Sequence, residues 1–377
     1  MNTPAPGKVQ PSLNVPFFWP VQLASSMAEQ GMELAARNVK FLDEELRLHD
    51  GSIKPRLATA HSVRLKLRTL DLCDYSAPGA KGIPTLVNAP YAGHTSMIAD
   101  YHEGQSLMQT LRAAGVGRVL LTDWHSATPD MKDFEVDQYL EELLACVDDL
   151  GGRVCLVGLC QGGWISAMLA ARFPDKVQAM VLAGSPIDTH AGHGPLVRMV
   201  RDSPMSFYRE LVASGGGLMP GRYMLAGWKN MHPEQHYVQD HIDLYEHIDD
   251  PVWLRKAEAF DRWYENPLDL PGRWYLQVIE QLFKHNEFAH GRFVGLGQRL
   301  QLRNIRCPLY LLAGESDDIT PREQVFAAEQ LSASTKVEKR VVPGGHVGLF
   351  MGARTLEQAW PAIAAWLRAN GAGQAPT

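Results

Sequence analysis

The chain has 377 residues, a formal charge of −6, 45% hydrophobic and 21% charged residues, a composition that suits an ordinary globular protein and excludes a disordered or fibrous one. Net acidity without a stripe of Lys and Arg argues against a nucleic-acid partner, because phosphate backbones are held by clustered cations. Five cysteines, Cys73, Cys146, Cys155, Cys160 and Cys307, are odd in number and lack metal-ligand spacing, which points to reduced thiols in a cytoplasmic setting.

The first residues show neither the basic nor the continuous apolar region of a secretory signal. The apolar patch 15–23 is interrupted by Pro16 and Pro20 and is too short to span a bilayer, so no transmembrane segment is expected. Residues 25–47 carry apolar side chains at helical spacing ahead of Gly51, predicting an amphipathic helix within an N-terminal extension over 1–60. Residues 61–70 alternate Val63, Leu65 and Leu67 with Arg64, Lys66 and Arg68, the pattern of an edge strand with one wet face.

Four short apolar runs follow, at 83–87, 118–122, Val154–Leu159 and Val177–Ala183, with helical stretches between them. The clearest helix is 134–150, where Val136, Tyr139, Leu140, Leu143, Leu144, Val147 and Leu150 share one face and Gly151 ends it. Alternating strands and helices predict a parallel sheet buried on both faces. From 188 to 306 the alternation stops and aromatic residues concentrate, which predicts a helical cap. Strands at 308–313 and Val337–Val342 and a closing helix at about 355–372 restore the pattern, so 61–187 and 307–377 form one core around an insertion.

The chemistry is carried by Gly158-Leu159-Cys160-Gln161-Gly162-Gly163, which joins the most apolar run to a helical run at 164–173. This is a nucleophile elbow with cysteine in the serine position, and it predicts the α/β-hydrolase fold. Gly158 and Gly162 are needed because side chains there would clash across the sharp turn. The sulfur then stands at a helix N-terminus, where partial positive charge favours a thiolate and free N–H groups can hold an oxyanion.

The base is expected at His346, in the glycine-rich Pro343-Gly344-Gly345-His346 after the last strand. The acid that fixes its tautomer is expected at Asp317, with Asp318 and then Asp188 as alternatives. A pair of acids before Thr320-Pro321 can equally cap a helix. Oxyanion donors are expected at the backbone N–H of Gln161 and at Tyr91 or Ala92, in the loop after the 83–87 strand. His94 and the segment Asp123-Trp124-His125 sit at strand ends where they can line the site or merely pack. Trp228, Trp253, Trp263, Tyr264, Trp274, Tyr275 and Phe283 in the cap supply its own core and, in part, an apolar pocket. His190, His193, His232, His236 and His241 lack a carboxylate at a telling spacing, and phosphate and dinucleotide motifs are absent, so neither a metal nor a cofactor is expected.

These residues resemble the poly(3-hydroxyalkanoate) synthase and intracellular polyhydroxyalkanoate depolymerase group, cysteine-dependent relatives of the lipases, from about residue 83 to 367. Ala89-Pro90-Tyr91-Ala92-Gly93-His94, Thr122-Asp123-Trp124-His125-Ser126-Ala127 and Gly184-Ser185-Pro186-Ile187-Asp188-Thr189 resemble the depolymerases. Cys160-Gln161-Gly162-Gly163 and Pro343-Gly344-Gly345-His346 are closer to the short two-component synthases. The resemblance implies a triad of Cys160, His346 and Asp317 acting on a polyester or hydroxyacyl ester, with the surface of a storage granule as a partner. Hydrolysis of the polyester through an acyl thioester is the expectation taken forward. The alternatives are polymerisation of 3-hydroxyacyl-coenzyme A on the same triad, and a non-catalytic granule-binding protein.

Overall fold

The structure is a computed structural model that describes residues 40–41, 54–91, 93–231, 243–244 and 246–373. The helix expected at 25–47, apart from residues 40 and 41, lies outside the described residues, as do the patch 15–23, Ala92, and His232, His236 and His241.

An eight-stranded sheet organises the chain. Its strands are β1 (Ser62–Lys66), β2 (Leu70–Asp74), β3 (Thr85–Asn88), β4 (Val119–Trp124), β5 (Val154–Leu159), β6 (Val177–Ala183), β7 (Leu309–Gly314) and β8 (Val337–Val342). The spatial order is β1-β2-β4-β3-β5-β6-β7-β8. β1 and β2 run antiparallel to each other and β2 antiparallel to β4, while every other pairing is parallel. β3 and β5 stand at the middle and are buried at every residue, which is why they read as continuous apolar runs rather than alternating ones.

The alternating segment 61–70 holds the expected edge strand. It is the start of a β-hairpin, with β1 at the sheet edge and a second strand beyond the turn. Val63 is 42% exposed, while Leu65 and Leu67 are half-buried against the core and Arg64, Lys66 and Arg68 are exposed, so the alternation marks one wet face. Full burial belongs to β2, where Leu70 and Leu72 are fully covered. β2, with Asp71 and Asp74 in its five residues, carries too little apolar sequence to announce itself.

The helix α1 (Leu107–Ala113) is capped by the Ser106 side chain, which accepts the Gln109 N–H. The helix α2 (Val136–Asp149) opens with a reciprocal capping box between Glu135 and Gln138 and closes at Gly151, whose φ of 105° is available to glycine at little cost. The helix α3 (Gln161–Arg172) is buried along nearly its whole length, because it packs directly on β5 behind the elbow. The expected closing helix is two pieces, Ala353–Gln358 and Trp360–Ala369, and Pro361 sits in the first turn of the second, where its missing N–H is no loss.

The described residues of 188–306 contribute no strand to the large sheet; they hold helices at Pro195–Asp202, Met205–Ser214, Gly221–Met231 and Pro251–Tyr264, then a π-helical stretch at Val278–Lys284. The chain divides into two compact units, 53–227 with 259–377, and 1–52 with 228–258. The smaller one gathers Phe41, Leu244 and Ile248 into its own apolar cluster. In the larger one, Asp100 is fully buried and accepts hydrogen bonds from Thr59 N–H and Oγ1, Tyr75 OH and Ser106 Oγ at 2.6–3.0 Å. A buried carboxylate is stable only with this kind of saturation.

Replacing Asp100 by Ala strands those donors, and the unfolding midpoint in urea is expected to fall by the equivalent of about 2–4 kcal/mol, since each hydrogen bond to a charged group contributes about 1.5–3 kcal/mol. A midpoint within error of the wild type would show that the cluster does not anchor the strand entering β1.

Candidate active site

Cys160 stands between β5 and α3 with φ 49° and ψ −120°. Only three non-glycine residues among those described have positive φ, and such a conformation costs about 1–3 kcal/mol. The surroundings hold it in place: Cys160 N–H donates to Ala183 O at 2.8 Å and Cys160 O accepts Gly163 N–H at 2.9 Å. A Cβ on Gly158 would lie 2.3 Å from the Gly163 Cα, and one on Gly162 would lie 2.1 Å from Asn88 O. Both obstacles are backbone and cannot swing aside, so the two glycines of the elbow are steric requirements. Cys160 is half-buried, whereas Cys73, Cys146 and Cys155 are buried. Burial pushes the thiols of Cys73, Cys146, Cys155 and Cys307 up to about 12, which leaves them inert.

His346 begins a short turn after β8, and Asp317 lies in the loop after β7. The two loops are stitched together by Glu315 N–H to Val342 O (2.8 Å) and Ser316 N–H to Gly344 O (3.2 Å). His346 Nδ1 donates to Asp317 Oδ2 at 2.8 Å, with the imidazole 8% exposed and the carboxylate fully covered. The other oxygen, Oδ1, accepts the N–H groups of Ile319 and Thr320. Asp317 therefore performs the turn-capping duty as well as orienting the imidazole, and the pairing falls on it rather than on Asp318 or Asp188. Asp188 instead accepts from Asn286 Nδ2 at 2.7 Å and from His190 N–H.

The Nε2 of His346 is buried and closes no hydrogen bond, yet Cys160 is near enough to act on the ring by charge and as a hydrogen-bonding neighbour. This is a close approach that stops short of a formed bond, as is common in resting sites. Burial alone would lower the pKa of the ring; the charges of Cys160 and Asp317 outweigh it and hold His346 well above its ordinary value. Phe350 packs edge-on against the imidazole at 5.3 Å.

Around this trio, Gln161 is buried and its Oε1 accepts the backbone N–H of Tyr91. The Tyr91 amide, expected to face an oxyanion, is thus already engaged. Tyr91 itself is an anchor, its ring against Tyr139 and Trp274 at 4.8 and 5.4 Å and its hydroxyl donating to Asp269 O. His94 is enclosed between Trp263 and Tyr264, hydrogen-bonded to Tyr264 O, and burial lowers its pKa to about 4, so it is a neutral packing residue. His125 is exposed and pairs with Asp71 at 3.4 Å. Trp124 is buried and donates to Ala89 O.

Three contributors escaped the sequence reading. The carboxamide of Gln161 and the ring of Phe350 are two. The third is Asn88, which donates from Nδ2 to Gly162 O and Ser166 Oγ and so ties β3 to the start of α3; a polar residue ending an apolar run was its one visible signal. Of the cap aromatics, Trp263, Tyr264 and Trp274 are buried, and a cavity lined by residues including Trp164, Thr189, Leu282, Phe283 and Asn286 has about 10 Å³, room for a single water. Among the described residues no group of His, Cys, Asp and Glu is placed to hold a metal, and no helix is long and apolar enough to cross a membrane.

A parallel sheet with two antiparallel strands at one edge and a strained residue between β5 and α3 define the α/β-hydrolase fold. The monoacylglycerol lipase of Paleococcus ferrophilus shares it, with a TM-score of 0.51, 17% identity, and coverage of 80% of this chain and 100% of the lipase. Residues 74–334 match the family described as "Protein of unknown function (DUF3141)", and the chain belongs to that family. It is also similar to the poly(3-hydroxyalkanoate) polymerase subunit PhaC of Allochromatium vinosum, 27% identical over 361 residues, 92% of this chain and 97% of the relative. With the protein of the same name from Haloferax mediterranei it is 27% identical over 287 residues, 74% of this chain and 56% of the relative.

The raised pKa of His346 sets a sign. Its contribution to stability is full below about pH 6.5, the ordinary imidazole value, and is lost as pH rises through the higher folded-state value. NMR titration of the His346 ring should give a midpoint above 6.5, and Cys160→Ala should move it down; an unmoved midpoint would mean that sulfur and ring do not interact.

Proposed function

We propose that this protein is an acyltransferase that polymerises 3-hydroxyacyl groups from coenzyme A thioesters, with Cys160 as nucleophile, His346 as base and Asp317 as the group that orients it. The observation that carries the reading is the similarity to a polymerase subunit along 97% of that relative's length. The segments that resemble depolymerases led the sequence reading toward hydrolysis; the named relatives favour the alternative, and the same three side chains serve either direction.

The chemistry follows from the geometry. His346 takes the thiol proton and the Cys160 sulfur attacks the thioester carbonyl, giving a tetrahedral oxyanion held at the start of α3. Collapse expels the coenzyme A sulfur, which recovers the proton, and leaves an acyl thioester on Cys160. The hydroxyl of a growing chain then gives its proton to His346 and attacks that thioester, forming an oxygen ester and releasing the Cys160 sulfur. The exchange is favourable because a thioester is less stable toward oxygen nucleophiles than the ester it yields.

Incubation with 3-hydroxybutyryl-coenzyme A should release coenzyme A and lengthen polymer, and Cys160→Ala should abolish both. Asp317→Asn should reduce kcat by about 10²–10⁴, the loss that follows when a triad imidazole is held in the wrong tautomer. Release of 3-hydroxybutyrate from amorphous polymer granules, without growth from the coenzyme A substrate, would instead establish the hydrolase, and either activity surviving in Cys160→Ala would remove the triad from both readings.

A further inference from the structure

Gln161 follows the nucleophile directly and its side chain is 5% exposed. Its carboxamide reaches from the start of α3 to the loop after β3, where one end accepts the Tyr91 backbone N–H. A backbone N–H can only donate, so the atom facing it is the carbonyl oxygen and the opposite end is the NH₂ group. That Nε2 is buried and has no hydrogen-bond partner. Leaving a buried donor unpaired costs about 1–3 kcal/mol, and native proteins seldom do so without a reason. Beside it, the N–H groups of Gln161 and Gly162 open α3 and have no acceptor within the helix.

We infer that Gln161 supplies two hydrogen bonds to the tetrahedral oxyanion, one from its backbone N–H and one from Nε2. Tyr91 does not touch the oxygen; its N–H fixes the carboxamide and polarises it, which strengthens donation from the far end. As the carbon–sulfur bond forms, the carbonyl π pair moves onto oxygen, and these two donors face the charge that appears. When the intermediate collapses the pair returns, the leaving group departs with its own bonding electrons, and Nε2 is unpaired again. The arrangement is preorganised, since nothing in the site has to turn toward the developing charge. This assignment rests on Cys160 being acylated, as proposed above.

Two variants separate the possibilities. Gln161→Glu keeps an oxygen to accept the Tyr91 N–H but loses the donor at neutral pH; Gln161→Met loses both. Two rates are measured in each: pre-steady-state release of coenzyme A from 3-hydroxybutyryl-coenzyme A, and alkylation of Cys160 by iodoacetamide, a displacement that passes through no oxyanion. Loss of one oxyanion donor costs about 10²–10³ in rate, so acylation should slow by at least about tenfold in both variants while alkylation stays at the wild-type rate. Unchanged acylation would overturn the assignment. So would faster acylation in Gln161→Met, which would mean that the carboxamide obstructs the hole, and so would parallel loss of both rates, which would mean that Gln161 only shapes the elbow. If the wild type is alkylated but not acylated by the coenzyme A substrate, the polymerase reading fails. The donor assignment is then read with p-nitrophenyl acetate, whose attack by Cys160 passes through the same oxyanion.

Discussion

The backbone of Cys160 is held at a positive φ that an ordinary side chain avoids, and the rest of the site is arranged around keeping it there. Such strain persists only where neighbours over-determine it. Here the determinants are close backbone approaches at Gly158 and Gly162, a hydrogen bond from Cys160 N–H to the end of β6, and the Asn88 side chain clasping the first turn of α3. Each is supplied by one of three adjacent central strands, β3, β5 and β6. The buried sheet therefore supplies more than stability: its rigidity is what fixes the direction of one thiol.

Asp317 and His346 are positioned by a second device at the other end of the strand order. β7 and β8 are parallel and adjacent, so the loops that follow them leave the same edge together. Backbone hydrogen bonds join those loops, and the Asp317 carboxylate spends one oxygen on its own turn and the other on His346. A carboxylate committed on both sides cannot rotate away, which fixes the imidazole tautomer. The imidazole, enclosed beside Phe350, would by burial alone prefer to be neutral; the neighbouring charges reverse that preference. The protonation of the ring is thus set by its neighbours rather than by its burial.

Much of this was legible in the sequence because local sterics and periodicity write themselves there. The runs Val154–Leu159, Val177–Ala183 and Val337–Val342 appear as strands with the expected bounds, since an apolar stretch closed by turn residues has few other uses. Gly158 and Gly162 announced the elbow because no other residue fits. What stayed hidden depends on contacts between distant segments. Strand β2 is held by its partners β1 and β4, and its two aspartates mask it. The side chain of Gln161 gains its meaning from Tyr91, seventy positions away, and no local pattern encodes that pairing. The choice between hydrolysis and polymerisation was equally out of reach, since in the proposed chemistry it turns on which hydroxyl reaches a shared intermediate.

The proposed function routes the reaction through one covalent species. The most direct measurement is intact-protein mass spectrometry after rapid mixing with 3-hydroxybutyryl-coenzyme A and acid quench, with peptide mapping of the adduct. The account predicts a hydroxyacyl group on the sulfur of Cys160, labile to hydroxylamine as a thioester is. An acyl group on another residue, or coenzyme A release with no adduct passing through Cys160, would contradict it.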